Sequence, residues 1–419
     1  MHQTRTTFGK FLHWSGTYLK ADMVYLTKNG FWISFGQIMN TLLSLGLLVA
    51  FANLLPKEIY GTYRYILSLA GILNIFTLSG MGNAVARAVA RGEEGAFRAS
   101  VRFQLKWNIL MFGAFLFLGG YYFFNGDTTF GYSFLILGLF VPATFAFQVF
   151  GAFLEGKKEF RFASISSITS TFVYCIGMFT AIFFSGEILW LVFAYAATTF
   201  FAALFFYSYT LRRFRPDFAG NATETIRYGR RLSYINVLSS IISQIDKIIL
   251  TQFWGPAQLA IYVLARAVPD QAVSFLKNWL GIGFPKFAEK TADEINKVFY
   301  RRIFQGMIGG AFIALAYVLV APYLFIYLLP QYIDGIVYSQ ILALGFIFAM
   351  PNRYISLLCE SQRLTRVIFL RAVITGVITL ALYVVFGTWG GILGLVTAVV
   401  AKGFLGMIIN ITAWRIATK

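Results

Sequence analysis

The sequence predicts an all-α polytopic membrane protein: 12 transmembrane helices in two parallel six-helix lobes, with both termini cytoplasmic. Three observations carry this reading. Of 419 residues, 58% are hydrophobic and only 12% charged, about half the charge with which a soluble domain covers its surface. The charges are gathered into short bursts, and the apolar stretches between them are long enough to cross a hydrocarbon core about 30 Å thick as helices. Lysine and arginine alternate strongly from one side of these stretches to the other. The short segments of alternating polarity that an outer-membrane barrel requires are missing from the pattern.

Taken in order, the charge-free stretches place spans at about 30–55, 65–86, 107–126, 130–154, 162–186 and 188–211 in the first half. Those of the second half fall at about 232–254, 257–284, 303–328, 336–358, 372–387 and 390–414. The N-terminal tail, the loops near 87–106, 155–161, 212–231, 285–302 and 359–371, and the C-terminal tail hold 28 of the 35 Lys+Arg, whereas the opposite loops hold Lys57 and Arg64 only. Basic loops stay in the cytoplasm, which orients both termini inward and places the chain in the cell inner membrane. The domain organisation follows: a cytoplasmic tail over 1–29, whose Phe8, Phe11, Trp14 and Tyr18 suit the membrane interface; a first lobe over 30–211; a linker over 212–231; a second lobe over 232–414; and a tail over 415–419.

The net charge of +18 is explained by this asymmetry, so a nucleic-acid partner is not implied. His2 and His13 are the two histidines, both in the N-terminal tail, and Cys175 and Cys359 form no metal or redox motif. No cofactor or metal is expected, and no GxxxxGK[ST] loop offers direct nucleotide drive. The loops opposite the basic ones are tiny and hold only Glu58, Asp127, Glu187 and Asp334. They cannot shape a catalytic site, so the chain reads as a transporter and not an enzyme.

A shift of 199 residues lays the first two spans on the seventh and eighth. Ser34 meets Ser233, Gln37 meets Asn236, Asn40 meets Ser239, Thr41 meets Ser240 and Ser44 meets Ser243; Tyr63 then meets Tyr262, Gly82 meets Gly281 and Glu94 meets Asp293. Parallel repeats of this kind leave a substrate path between halves. Ser34, Gln37, Thr41 and Ser44 share one helix face, as do Asn236, Ser239, Ser243 and Asp246. With Asn40 they suggest a hydrated cavity wall, although small polar residues also serve helix packing.

Asp246, Lys247, Arg266, Asp270, Lys277, Arg353 and Lys402 lie within spans, all in the second half. Lipid exposure would cost at least ~2.5–3.5 kcal/mol each, so they should face protein or water. Depth allows Asp246 and Arg266 to meet. Arg266, Asp270 and Lys277 share one face of the eighth span, where Pro269 breaks the hydrogen-bond ladder. Asp246 or Asp270 neutralising Arg266 would hold helices in register; unmatched cations would instead receive an anionic headgroup.

The run Leu54-Leu55-Pro56-Lys57-Glu58-Ile59-Tyr60-Gly61-Thr62-Tyr63 resembles the "L-gp-e-x-y-G-x-y" turn of polysaccharide and O-antigen flippases, members of the multidrug/oligosaccharidyl-lipid/polysaccharide exporter superfamily. Ser243-Gln244-Ile245-Asp246-Lys247-Ile248-Ile249-Leu250, with Gly255 and Tyr262, is similar to their "D-k-i-x-l … G … Y" stretch. The resemblance implies a two-lobed fold that opens alternately to either side. It implies as cargo an oligosaccharide on a polyprenyl (undecaprenyl) diphosphate carrier, held in contact with membrane lipid, with a polysaccharide polymerase and glycosyltransferases as partners. The diphosphate would pair with Arg266 and Lys277, assisted by Lys402 or Lys247. Asp246 or Asp270 would couple transport to an ion. An ion-coupled small-molecule exporter of the multidrug type is the alternative, weakened because the first span lacks the acidic group that such exporters carry there.

Overall fold

The computed structural model describes residues 23–217, 222–281, 292–362 and 364–418. The expected interfacial segment over 1–22 lies outside the described residues. Among those described there are 15 α-helices and no strand. The first half contains α1 (Met23–Leu54), α2 (Lys57–Ile72), α3 (Met81–Ala90), α4 (Gly95–Trp107), α5 (Ile109–Phe124), α6 (Thr128–Phe147), α7 (Val149–Gly156), α8 (Phe160–Phe184) and α9 (Ile188–Phe214). The second half contains α10 (Ala222–Trp254), α11 (Pro256–Gly281), α12 (Ala292–Leu328), α13 (Gly335–Ala343), α14 (Phe346–Ser361) and α15 (Thr365–Ala417). The helix ends have local causes. Asp127, for example, caps α6 by accepting from the Phe130 amide at 3.1 Å.

The outer surfaces confirm the solvent. Along α12, Phe304, Ile308, Phe312, Leu315, Leu319, Tyr323 and Ile326 recur at helical spacing, each more than half exposed. Water would not tolerate so continuous an apolar stripe, whereas acyl chains require one.

Nine helical segments among the described residues are long and apolar enough to cross a membrane, or ten with the broken pair Lys57–Phe76 and Met81–Ala90. The expected 12 differ from this at two places. One is α10, where Asp246 and Lys247 together with serine, asparagine and glutamine make residues 232–254 less apolar than the other spans. The other is α15, 53 residues long, which is not straight. Eight residues of helix rise about 12 Å, yet a Cβ at Gly394 would stand 1.9 Å from the Phe386 carbonyl oxygen. The chain therefore doubles back at Gly391, whose φ of 53° and ψ of −134° are non-helical. Only glycine adopts that backbone at little cost. Gly391→Ala should lose about 1–3 kcal/mol of stability, read as a lower thermal midpoint; an unchanged midpoint would show that the turn carries no constraint.

A second difference concerns Arg64. It belongs to no loop: α2 begins at Lys57 and carries Arg64 in its second turn.

Two compact units are formed. Residues 1–47 and 76–234 make the first, and residues 48–75 and 235–419 the second. The core of the first joins α3, α4, α7 and α9 through Met81, Val85, Phe97, Phe153 and Phe206, with the Phe97 and Phe153 rings stacked at 4.7 Å. Asn108, buried where α4 meets α5, donates to the Pro142 carbonyl of α6 at 2.6 Å, a carbonyl near the helix's proline. In the second unit, α12, α14 and α15 meet around Phe299, Ile355, Leu358 and the fully buried Trp414. The Trp414 indole donates to Asn296 at 2.9 Å.

Residues 48–75 pack within this second unit. Asn53 donates to the Leu328 carbonyl at 2.9 Å, and Lys57 pairs with Asp334 at 3.8 Å while lying 5.2 Å from the Tyr332 ring centroid. Burial pushes the Tyr332 hydroxyl above its usual range, so the ring stays neutral beneath Lys57. The repeat-related Tyr63 and Tyr262 are both buried here, at 1% and 0% exposure.

Candidate functional site

Helices α10 and α11 are separated by Gly255 alone, whose φ of 86° reverses the chain. Asp246 stands nine residues before this turn and Arg266 eleven after it, so both lie about 14–16 Å from it along their helices. They meet at equal depth. Asp246 is 1% exposed. Its Oδ2 accepts from Arg266 Nη1 and from the Tyr262 hydroxyl, the latter at 2.8 Å. Its Oδ1 accepts from the Lys247 amide at 2.9 Å. Arg266 Nη1 also donates to the Tyr262 oxygen at 2.7 Å. One turn further along α11, Arg266 Nε donates to Asp270 Oδ2 at 2.8 Å. The side chains differ in access: Asp246 is 2% exposed, Arg266 23% and Asp270 57%.

Around this knot stand further cations. Lys247 Nζ donates to Gln244 Oε1 at 2.8 Å, and the Gln244 amide packs against Gly71 of α2. Arg64 and Arg266 both lie within Coulomb range of Lys247. Lys402, on the returning arm of α15, holds its ammonium 5.8 Å from the Tyr383 ring centroid. Tyr383, 1% exposed, lies within Coulomb range of Arg266, Asp246 and Asp270. Among the described residues, Arg64, Lys247, Arg266 and Lys402 thus share this region with Asp246 and Asp270. In a medium of low dielectric that imbalance attracts anions far more strongly than it would in water.

Of the residues expected to bind a diphosphate, Arg266, Lys247 and Lys402 gather here, and Lys277 has its side chain outside the described residues. Arg353 is elsewhere, paired with Glu360 at 3.3 Å on its own helix. Three participants were not anticipated: Arg64, Tyr262 and Tyr383. The spacing of Tyr262 four residues before Arg266 was the signal available for one of them. Nothing in the spacing pointed to Tyr383.

The polar stripes divide by unit. Along α1, Gly36 and Asn40 face α8, where Asn40 Nδ2 donates to Ser167 Oγ at 2.8 Å and Gly36 abuts Ser164. Ser34, Gln37 and Ser44 are exposed, and Thr41 is half-buried. In the second unit Ser239 and Ser243 are exposed and Asn236 half-buried. The Ser243 hydroxyl donates to the Ser240 carbonyl at 2.7 Å and accepts from Gln244 Nε2 at 3.3 Å.

The fold is shared with solved membrane transporters. An outward-facing multidrug resistance MATE family transporter of the MOP superfamily superposes with a TM-score of 0.64 at 14% identity, covering 94% of this chain and 95% of the other. The lipid II flippase MurJ, in an inward closed conformation, gives 0.62 at 14% identity over 91% and 86%. A MOP superfamily transporter from Pyrococcus furiosus, described as having a binding pocket of reversed polarity, gives 0.59 at 15% over 94% and 95%. A search of the curated proteins by sequence found no match. Class is thereby defined: a multi-pass, all-α membrane protein with the fold of flippases and exporters. The chain belongs to the polysaccharide biosynthesis protein family, whose model matches residues 26–291.

Proposed function

We propose that the protein is a flippase that carries an oligosaccharide linked to a polyprenyl (undecaprenyl) diphosphate from the cytoplasmic to the outer leaflet of the inner membrane. Alternating access would expose the carrier to each side in turn, for the synthesis of O-antigen, capsule or exopolysaccharide. Support comes chiefly from the cationic cluster of Arg64, Lys247, Arg266 and Lys402, beside which Asp246 and Asp270 are the carboxylates among the described residues. A diphosphate supplies the negative charge that this cluster lacks, and guanidinium and ammonium bind it strongly once partly desolvated. The lipid tail stays in the bilayer, so the protein need accommodate only headgroup and sugar. Asp270 is the carboxylate that solvent reaches, which makes it the better candidate for ion coupling.

Lys247 and Lys402 are the cations to test: the Lys247 ammonium is held by Gln244 Oε1 at 2.8 Å and the Lys402 ammonium lies 5.8 Å from the Tyr383 ring centroid. Lys247→Ala and Lys402→Ala should each slow the flipping of lipid-linked oligosaccharide in proteoliposomes by at least tenfold, or about 1.4 kcal/mol of barrier. Lys402→Arg should retain most of the flux. Wild-type rates in both alanine variants would refute the diphosphate role.

A further inference from the structure

Within the first unit, a cavity of about 450 Å³ lies between the end of α6, α7, α8 and α9. Its size falls in the range of small-molecule sites, about 300–1,000 Å³. The wall is unlike the cationic cluster. Glu155 is its one charged group, and Ser166, Ser167, Ser170 and Thr171 of α8 supply a row of hydroxyls facing Thr199 of α9.

Where the hydroxyl protons go decides what the wall can bind. Ser166 donates to the Ala163 carbonyl at 2.9 Å, Ser170 to the Ser166 carbonyl at 2.8 Å and Thr199 to the Tyr195 carbonyl at 2.7 Å. These protons are spent on the helices' own backbones, which leaves oxygen lone pairs toward the cavity. Ser167, also on the wall, accepts from Asn40 Nδ2 of α1 at 2.8 Å. Glu155 adds a carboxylate. The wall carries no positive charge, and the Gln148 amide and the Ser167 and Thr171 hydroxyls set donors beside these acceptors.

Three ligand classes fail this chemistry. A phosphate or carboxylate brings acceptors only and would face Glu155. A metal ion needs oxygens converging to about 2.5 Å, whereas Ser166 to Tyr174 spans about 12 Å of helix, and no His/Cys/Asp/Glu group suited to a metal exists among the described residues. An acyl chain would leave the polar wall unmatched. A neutral saccharide brings dense O–H donors over that length, and its C–H faces can lie on the Tyr174 and Phe150 rings that also line the cavity. We propose that this cavity is a saccharide-binding subsite that receives the glycan portion of the cargo. That a glycan should reach it rests on the function proposed above; the site itself stands on the cavity and its hydroxyl-lined wall.

The test uses the purified full-length chain in lipid nanodiscs, with chitotriose and maltotriose as probes and saturation-transfer NMR as the readout. At least one trisaccharide should bind the wild type. Ser170→Leu and Thr199→Leu, which fill the cavity, should weaken that binding at least tenfold, and Glu155→Gln several-fold. Lys402→Ala should impair flipping while trisaccharide binding persists. Thermal midpoints verify folding, and Ser167→Ala replaces any leucine variant that does not fold. No trisaccharide signal in the wild type, or equal binding by folded cavity variants, overturns the subsite. So does sodium binding, seen by ²³Na NMR, that Ser170→Leu abolishes in the absence of a trisaccharide signal. Lost trisaccharide binding in the cavity variants alongside wild-type flipping in the Lys247 and Lys402 variants would uphold the subsite while refuting the diphosphate role.

Discussion

Arg266→Ala should destabilise the protein by about 3–5 kcal/mol, since Asp246 is only 1% exposed and would lose its ion-pair partner. Asp246→Ala should cost less, because Arg266 keeps its ion pair with the more exposed Asp270. The double variant should recover much of the Arg266→Ala loss. Removing Arg266 alone leaves a buried uncompensated carboxylate, whereas removing both partners leaves none. Asp270→Ala should fall within about 1 kcal/mol of wild type: its side chain is 57% exposed, and water replaces what Arg266 provided. Thermal midpoints of the four proteins in detergent give the comparison. Additive losses in the double variant would mean that Asp246 and Arg266 are not coupled. The same ranking explains why loss of transport in Arg266→Ala would not by itself identify a substrate contact: in that variant folding and binding change together.

Gly61→Val should be the most damaging change to a small residue. A Cβ at Gly61 would stand 1.8 Å from the Pro256 carbonyl oxygen and 2.4 Å from its carbon. Both are backbone atoms and cannot rotate aside, so α2 and α11 must part. Overpacking of this kind costs about 1–3 kcal/mol even for one added methyl, and valine adds more. The separation would also strain the neighbouring Phe51–Tyr60 stack, with centroids 5.1 Å apart, and the Lys57–Asp334 pair. Gly61→Ala should therefore lower the thermal midpoint, and Gly61→Val should lower it further or prevent accumulation of folded protein. Wild-type midpoints in both would show that the two helices do not meet this closely. The glycine in the Tyr60-Gly61 motif thus has a packing reason: small residues let membrane helices approach where no hydrophobic effect draws them together.

Much of the fold was legible because lipid imposes simple rules. An apolar length and a burst of charge mark where a helix can cross, and those two signals located most helices to within a few residues. They failed where a rule conflicts with a local need. α10 is not among these failures: the span expected at 232–254 lies within it, although Asp246 and Lys247 make it more polar than its neighbours. Arg64 reads as a loop residue because a charge near a helix end looks like a boundary when its partners are unknown. At α15 the division near residue 388 was visible, but the Gly391 backbone that permits the reversal was not.

Composition, charge asymmetry and helical periodicity by themselves determined that this is a many-spanned membrane protein, and that ionisable groups lie deep in its second half. Periodicity gives the face and depth of a side chain on its own helix, which is enough to place Asp246 level with Arg266. It does not give the rotation of one helix against the next. Tertiary packing alone decided that Tyr262 completes the pair, that Tyr383 lies near Arg266 and Lys402, that Arg64 joins the cluster, and that the serines of α8 border a cavity. Each of these depends on how one helix is rotated against another, where a few tens of degrees turn a partner into a lipid-facing residue.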